Sequence, residues 1–237
     1  LSFLIKDLNN SLKIKLHLLA SGSHFSKKHG LTIKQINKDK LKVNSKIYIN
    51  LNKDTTVDIL NSISIIIKKY SKILLKNKPN LIILLGDRYE TLAFAIVAIF
   101  FKIPIAHIHG GELTRGAIDD TIRHSITKMS QLHFVSTDEH KKRVLQLGEN
   151  KNKVFNVGSL GVENIKKLKL IDKKEIQKIL KFKFWSKNIL ITFHPVTLEE
   201  KTVENFQELL KSLDILSEYF LLFTKPNADQ QNKIINK

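Results

Sequence analysis

The chain has 237 residues, of which 42% are hydrophobic, and a formal net charge of +18. This composition is typical of a globular protein with one large or two modest domains, and it argues against disorder. The absence of cysteine excludes disulfides and thiolate metal sites, and it fits a reducing compartment. No apolar run reaches the length of a membrane-spanning helix, so we expect no membrane association.

The positive charge is carried almost entirely by lysine, because only four of the 40 basic residues are arginine. The lysines are scattered over the whole chain. Nucleic-acid recognition tends to use arginine forks and clustered basic faces. We therefore expect no nucleic-acid partner, although the excess charge helps to attract a phosphorylated substrate.

The chain opens with a predicted helix at Leu1–Asn10, whose apolar residues recur at helical spacing. The elements that follow are a strand at Ile14–Ala20 that ends in the turn Ser21–His24, a short strand at Lys46–Ile49, and a helix at Asp54–Tyr70. Each is joined to the next by a polar segment. Strands that alternate with helices in this way indicate a doubly wound α/β domain.

Two strand ends in the middle of the chain carry polar residues. The five apolar residues Leu81–Leu85 suit a strand buried on both faces of a parallel sheet, and the sequence Gly-Asp87-Arg88 breaks that run. A helix at Glu90–Phe101 leads to a second strand, Ile103–Ile108, which ends in His109-Gly-Gly-Glu112. In an open parallel sheet, ligands bind beyond the carboxyl ends of the strands. This edge is therefore the predicted site, with Asp87, Arg88, His109 and Glu112 beside each other.

The pattern continues and then changes near residue 165. The further predicted elements are helix Thr121–Met129, strand His133–Ser136, helix Thr137–Leu147, strand Val154–Val157, a lysine-rich helix at Asn164–Lys181, strand Asn188–Phe193, helix Thr202–Leu216 and strand Tyr219–Thr224. We expect two domains, 1–165 and 166–237. The second has only two predicted strands, too few to bury both faces of a sheet, so we expect it to be truncated.

The acidic residues allow a catalytic and a structural interpretation. Asp87 can serve as a general base or a hydroxyl ligand, or it can cap the helix that follows. Asp119 and Asp120 precede a predicted helix, so they can cap it and favour its positive end, or one of them can face the same crevice as Glu112.

The histidines also leave alternatives open. His107 and His109 are two apart on a predicted strand, which places them on one face, so a metal site with Glu112 is conceivable. His194 follows a strand and precedes a proline, where it can act as a phosphate donor or an acid, or simply be structural. Asn227 and Asp229 occupy the equivalent position after the second strand of the second domain.

Read together, five segments resemble the UDP-N-acetylglucosamine 2-epimerases, specifically the hydrolysing branch used in sialic acid synthesis. These segments are GDRYETLAFA, HIHGGELTRGAIDDTIRHSITKMSQLHFVST, NVGSLGVENI, FHPVT and KPNAD. The resemblance implies two Rossmann-like domains of the GT-B type with a nucleotide-sugar cleft between them, in a cytoplasmic homodimer or homotetramer. It also implies that an opening strand, a serine-rich loop and closing helices are missing. If these residues are the entire polypeptide, we expect poor stability and little activity.

The chemistry implied by the resemblance has two stages. A base removes the C2 proton of the N-acetylglucosamine unit while UDP leaves from C1, which gives 2-acetamidoglucal. Water then adds to yield N-acetylmannosamine. Proton abstraction and hydration each need a positioned acid or base.

The resemblance carries over to individual residues. Asp87, Glu112 and Asp119 match positions at or near the family's acidic active-site residues, and His109 stands where some relatives have glutamate, so either His109 or Glu112 takes that role. His194 is a further catalytic candidate. The positions expected to contact UDP are Arg88, His194, Asn227 and Lys233. No metal or other cofactor is implied.

The sequence also allows three other functions. A non-hydrolysing epimerase would release UDP-N-acetylmannosamine, although the HIHGGE and FHPVT segments favour the hydrolysing type. A GT-B glycosyltransferase would transfer the sugar to an acceptor other than water. A metal-dependent hydrolase that uses His107, His109 and Glu112 would lose its activity in the presence of a chelator.

Overall fold

A computed structural model describes residues 1–27, 30–49, 55–194 and 201–224. Helices and strands alternate along most of these residues. The helices are α1 Ser2–Asn10, α2 Ile33–Lys38, α3 Thr56–Lys76, α4 Tyr89–Phe100, α5 Ile118–Met129, α6 Asp138–Gln146, α7 Leu160–Lys167, α8 Lys173–Leu180 and α9 Thr202–Asp214. The strands are β1 Leu19–Ser21, β2 Ser45–Ile47, β3 Ile82–Leu85, β4 Ile105–Ile108, β5 Leu132–Val135, β6 Val154–Asn156, β7 Asn188–Ile191 and β8 Phe220–Phe223.

The chain forms two compact units, Leu1–Asn164 and Ile165–Lys237. In the described part of the first unit, β3, β4, β5 and β6 form a four-stranded parallel sheet in sequence order, and β1 pairs with β2 in a separate parallel sheet. Each parallel pair is connected through a helix, as parallel strands require. All four carboxyl ends of the larger sheet therefore lie at one edge.

The main core of the first unit lies where α3 and α4 pack against the strands. The buried residues of α3 are Ser62, Ile66, Tyr70 and Leu74, a spacing of four that keeps them on one face. They join the small residues of α4, such as Ala93 and Ala98, which allow the two helices to approach closely. Burial of this apolar stripe is the main source of stability for both helices.

The prediction that Leu81–Leu85 is buried on both faces is wrong. Ile82 and Leu84 are buried in the core, but Ile83 and Leu85 are 41% and 37% exposed. Only one face of β3 is covered by α3 and α4, so alternate residues remain accessible. The neighbouring strand β4 is the one that is buried throughout.

The predicted strand at Ile14–Ala20 is also shorter in the structure, where β1 comprises only Leu19–Ser21. Its partner β2 has three residues, and a parallel ladder extends no further than the shorter of its strands. Just before the ladder, the Leu18 N–H donates to the Asn44 side chain at 2.9 Å. The Leu18 carbonyl accepts from the backbone N–H groups of Asn44 and Ser45, so the side chain of Asn44 satisfies only the Leu18 N–H where pairing begins.

The second unit contains a two-stranded parallel sheet, β7 and β8, within its described residues. The single lysine-rich helix predicted at Asn164–Lys181 is wrong, since α7 ends at Lys167 and α8 begins at Lys173. The side chain of Asp172 accepts a hydrogen bond from the Glu175 N–H at 2.8 Å. An N-cap of this kind starts a new helix and so divides the segment. Among the helices of the described residues, none is long and apolar enough to cross a membrane.

Candidate active site at the carboxyl edge of the sheet

Two polar turns lie side by side because the strands before them are in register. Leu85 of β3 pairs with Ile108 of β4, and the Gly86 N–H donates to the Ile108 carbonyl at 3.0 Å. The turn that begins with Asp87 therefore lies next to the turn His109–Glu112. His109 adopts a left-handed conformation with φ of 66°. Such a conformation costs a non-glycine residue about 1–2 kcal/mol and is found where surrounding contacts hold it.

His109 and Glu112, the first and last residues of this turn, contact each other directly. The Nδ1 atom of His109 lies 2.5 Å from Glu112 Oε1, and both side chains are largely buried. Because a carboxylate can only accept, Nδ1 carries the hydrogen of this bond. The Nε2 atom of His109 has no partner within the described residues. The pair resembles the histidine–carboxylate arrangements that serve in acid–base catalysis.

Ser136 contacts the same carboxylate from the neighbouring strand end, and His140 of α6 contacts Ser136. The Ser136 hydroxyl donates to Glu112 Oε1 at 2.9 Å, and it also lies 2.9 Å from His140 Nδ1. Ser136 directly follows β5, and His140 is in the first turns of α6. Residues from two neighbouring strand ends, those of β4 and β5, therefore meet at Glu112.

Arg123 of α5 links the two polar turns. Its guanidinium forms an ion pair with Asp87 and donates to the Glu112 carbonyl at 2.9 Å and to the Thr114 hydroxyl at 3.0 Å. The Arg123 side chain is only 5% exposed. The interpretation of Asp87 as a helix cap is wrong, because Arg88 is the N-cap residue of α4, and its side chain makes no cap hydrogen bond. Asp87 is instead held by the buried guanidinium.

Arg143 of α6 holds the same turn from the other side. Its guanidinium donates to the Gly111 carbonyl and, at 2.8 Å, to Glu139. Gly111 has φ of 79°, and a Cβ there would overlap the backbone carbonyl of His140. Two arginines thus donate to consecutive carbonyls of the turn, those of Gly111 and Glu112, which fixes its backbone.

His107 is fully buried in β4 and uses both ring nitrogens within the protein. Its Nε2 donates to the Gly86 carbonyl at 2.8 Å, and its Nδ1 lies 3.1 Å from the Thr127 hydroxyl. Burial lowers the pKa of His107 from 6.5 to about 4. The hypothesis that His107 and His109 share a face and bind a metal is wrong, since β4 ends at Ile108 and His107 has no free nitrogen. No cluster of three ligating side chains suited to a metal occurs within the described ranges.

Asp119 and Asp120 lie in the first turn of α5, which begins at Ile118 and not at Thr121 as predicted. Neither caps the helix, because Ala117 is the N-cap residue. Asp120 accepts from the Thr114 N–H at 2.9 Å and lies 3.6 Å from Arg123. Asp119 is half-buried and has no hydrogen bond or ion pair within the described residues. Of the two carboxylates, Asp119 is the one left available for a ligand.

The end of β1 reaches the beginning of α4. Gly22 has φ of 65°, and a Cβ on it would lie 2.8 Å from the carboxylate of Glu90. Arg88 Nε lies 3.3 Å from the same carboxylate. His24 lies two residues after Gly22, and its pKa is lowered by burial and, to a smaller extent, by the charge of Arg88. His24 is thus a polar side chain close to Arg88 that the sequence did not single out as functional.

The predicted UDP contacts of the second unit are only partly described. His194 follows β7 and is exposed. Asn227 and Lys233 lie outside the described residues.

The main residues that sequence reasoning missed are Arg123, Arg143, Ser136 and His140. A signal for the arginines was present, because only four occur in the chain and all lie between positions 88 and 143. In a chain that otherwise uses lysine, an arginine indicates a position that needs the planar fork of donors. No comparable signal marks Ser136 or His140, whose roles depend on the register of β5.

Comparison with known proteins shows the family to which these two turns belong. The sequence model of the family described as UDP-N-acetylglucosamine 2-epimerase matches residues 6–237. The chain belongs to this family. The family suggested by the sequence motifs is therefore confirmed.

Two relatives are similar to this chain over almost all of its length. The GDP/UDP-N,N'-diacetylbacillosamine 2-epimerase (hydrolyzing) of Campylobacter jejuni is 44% identical over 235 residues, which are 99% of this chain and 61% of that protein. The polysialic acid biosynthesis protein P7 of Escherichia coli is 38% identical over 99% of this chain and 60% of its own length. The chain thus spans about three fifths of the length of these relatives.

Solved structures of family members share the fold. The UDP-GlcNAc 2-epimerase of Methanocaldococcus jannaschii, in complex with UDP-GlcNAc and UDP, has a TM-score of 0.78 at 19% identity, over 99% of this chain and 64% of that one. A second structure, from Listeria monocytogenes, has a TM-score of 0.76 at 12% identity, over 99% and 60% of the two chains. At these identities the similarity concerns the fold, and it confirms the predicted α/β fold of the GT-B type.

Proposed function

We propose that the protein is a hydrolysing 2-epimerase of UDP-activated 2-acetamido sugars. In the first stage, a base removes the C2 proton, the C1–O bond breaks, and its electron pair leaves with UDP, so that a C1=C2 double bond forms in 2-acetamidoglucal. In the second stage, the oxygen of water bonds to C1 and a proton returns to the opposite face of C2. The products from UDP-N-acetylglucosamine are N-acetylmannosamine and UDP, which would enter the synthesis of sialic acid or a related nonulosonate.

The 2.5 Å contact between His109 Nδ1 and Glu112 is the observation that carries this proposal. It leaves His109 Nε2 without a partner in the described part of the chain, at the edge of the sheet where ligands of parallel α/β folds bind. A histidine titrates close to neutral pH and can take and return a proton. We assign His109 as the base at C2 and Glu112 as the carboxylate that orients its ring.

The two aspartates receive different roles because their surroundings differ. Asp87 is held in an ion pair with the buried Arg123, so we assign it to binding a sugar hydroxyl and not to proton transfer. Asp119 has no partner among the described residues, and we assign it to the proton transfers of departure and hydration. Arg88, His194, Asn227 and Lys233 are the proposed contacts of the nucleotide, and we also assign His194 to protonation of the leaving phosphate.

Two sugars are candidate substrates. Two solved structures of family members, from Neisseria meningitidis and Methanocaldococcus jannaschii, contain UDP-GlcNAc, whereas the Campylobacter jejuni and Legionella pneumophila relatives are named for N,N'-diacetylbacillosamine. Both sugars have the 2-acetamido group and the C2 proton that the reaction needs. UDP-N-acetylglucosamine is our first candidate, and UDP-N,N'-diacetylbacillosamine is the second.

The decisive experiment is NMR of the reaction of the complete gene product with each UDP-sugar in heavy water. We expect free UDP and a released 2-epimeric sugar with deuterium at C2. A UDP-linked epimer as the product would indicate the non-hydrolysing reaction, and transfer only to an added acceptor would indicate a glycosyltransferase. Retention of hydrogen at C2 in a released epimer would contradict the proposed base.

Substitutions at the site test the assigned roles in the same assay. His109→Asn and Asp119→Asn should each lower kcat by about 10²–10⁴-fold, the usual contribution of a general acid or base. Asp87→Asn, which loses a sugar contact, and Glu112→Gln, which loses the carboxylate that orients His109, should also lower turnover by orders of magnitude. Unaltered rates in all four variants would remove the proposed site. The resemblance to the family also leads us to propose a cytoplasmic homodimer or homotetramer, which light scattering of the purified protein can measure.

A further inference from the structure

We propose that Ser136 and His140 are positioning residues that fix the proton of the catalytic histidine. They extend the His109–Glu112 pair into a chain of four side chains drawn from the ends of β4 and β5 and the first turns of α6. The inference rests on the proposed function, because it concerns the base assigned above. Neither residue needs to touch the substrate, since both act through Glu112.

The direction of every hydrogen bond in this chain follows from what each atom can donate. Glu112 Oε1 only accepts, so the single hydrogen of the Ser136 hydroxyl must point to it. The serine oxygen then has only lone pairs left for His140, whose Nδ1 must therefore carry a hydrogen and donate at 2.9 Å. His109 donates to Glu112 from its own Nδ1 at 2.5 Å. Consequently the neutral form of His109 has its lone pair on Nε2.

The far end of the chain is anchored by the backbone of α6. The His140 N–H donates to the Thr137 side chain at 3.2 Å, which caps the helix. The His140 carbonyl lies against Gly111, in the turn that holds His109 and Glu112. His140 is thus fixed relative to the very turn it serves, and a rigid second contact of this kind orients a catalytic group.

The Ser136 hydroxyl affects the basicity of His109 because it donates to the partly buried carboxylate that His109 contacts. Glu112 is about two-thirds buried, so each donor to its carboxylate has a substantial effect on its charge. Without the Ser136 hydroxyl the carboxylate is more basic and pulls more strongly on His109 Nδ1–H. The pKa of His109 should then rise. The other charged and titratable groups that face the pair from packed elements are His107, Asp87, Arg123 and Arg143.

The test compares Ser136→Ala with Ser136→Thr, which restores the hydroxyl. Ser125→Ala is the matched control, because it removes a hydroxyl whose one hydrogen-bond partner among the described residues is the Thr121 carbonyl on α5. In the complete gene product we expect Ser136→Ala to lower kcat about tenfold or more with KM nearly unchanged, and to move the acid limb of the kcat/KM profile to higher pH. Ser136→Thr should recover most of both properties. Ser125→Ala should resemble the unaltered protein.

His140 is tested by a pair of variants that differ only in the donor. Asparagine places an N–H near the position of the histidine Nδ1, so His140→Asn should retain kcat within a few-fold. His140→Leu has no donor and should behave like Ser136→Ala. Equal kcat values and equal pH profiles for these two variants would overturn the role of His140.

A measurement that needs no turnover separates this inference from the proposed function. Imidazole ¹⁵N NMR of the complete gene product should show neutral His109 with its hydrogen on Nδ1, and a higher pKa of His109 in Ser136→Ala. The Nε2–H tautomer, or a pKa of His109 that ignores the serine, would overturn the inference. If the expected tautomer and pKa shift are found in a protein that processes neither UDP-sugar, the hydrogen-bond chain stands and the proposed reaction fails.

Discussion

The four arginines of the chain have distinct environments. Arg123 and Arg143 donate to the turn 109–112, and Arg88 contacts Glu90 at the start of α4. Arg115 is exposed and has no partner within the described residues. A guanidinium offers five donors in a fixed plane, whereas the lysine ammonium is a single point of charge. The buried arginine position therefore cannot be filled by the lysine that dominates this composition.

The variant Arg123→Lys tests this argument. We expect a loss of about 2 kcal/mol or more in the free energy of unfolding, because one ammonium cannot reach Asp87, the Glu112 carbonyl and the Thr114 hydroxyl together. Urea denaturation monitored by circular dichroism measures the change. Arg115→Lys is the matched control and should change the stability by less than about 0.5 kcal/mol. Equal effects of the two substitutions would contradict the role of Arg123.

At the scale of the element, the conformation of the turn between β4 and α5 is stabilised by contacts with helices α5 and α6. His109 is left-handed, and Gly111 packs against α6 closely enough to exclude a side chain. Arg123 donates to the turn from α5, and Arg143 donates to it from α6. The geometry of the His109–Glu112 pair therefore depends on how these two helices pack against the sheet.

Alanine substitutions at two glycines with the same φ distinguish the cost of backbone strain from the cost of a steric overlap. Gly111 and Gly158 both have φ of 79°, but a Cβ on Gly158 would meet no described atom within 4 Å. We expect Gly158→Ala to cost about 1 kcal/mol, from the left-handed conformation alone. Gly111→Ala should cost a further 1–3 kcal/mol, because its Cβ overlaps the His140 carbonyl. Chemical denaturation measures both values, and equal costs would show that the contact with α6 is unimportant.

At the scale of the whole molecule, the centre of the first unit holds two buried histidines on adjacent strands. His107 of β4 pairs in register with His133 of β5, and neither is accessible to solvent. Burial lowers the pKa of both residues, to about 4 for His107. His133 is also bonded to Glu149 at 3.1 Å, which opposes this shift. Protonation of either ring places a charge in the sheet that carries the site.

The stability of the protein should consequently fall as the pH is lowered through the range from 6.5 to 4. The unfolded chain binds a proton at His107 below pH 6.5, whereas the folded protein does so only near pH 4. Above pH 6.5 the contribution of His107 to the free energy of unfolding is fully present. About 2 kcal/mol of that contribution should be lost by pH 5.

Urea titrations at a series of pH values measure this loss. His107→Gln keeps a donor for the Gly86 carbonyl but cannot titrate, so its stability should depend less steeply on pH. His17→Gln replaces an exposed histidine and is the matched control. An unchanged pH dependence in His107→Gln would contradict the prediction.

Most of the elements could be predicted from the sequence, because short apolar runs punctuated by glycine and polar residues specify local structure. Strands β3 to β6 and helices α4 to α6 agree with their predicted positions within about three residues. The errors have local or tertiary causes. Asp172 divides a predicted helix by capping a new one, and the exposed Ile83 depends on which face of β3 the helices cover.

The sequence by itself determined the family, the parallel α/β fold and the two turns that carry Asp87, His109 and Glu112. Only the tertiary structure decided which atoms of those residues are engaged. The partner of Asp87 is 36 residues away in Arg123, and Ser136 reaches Glu112 across 24 residues. Such contacts depend on strand register and on helix packing, which bring distant side chains within 3 Å of each other and leave no local pattern in the chain.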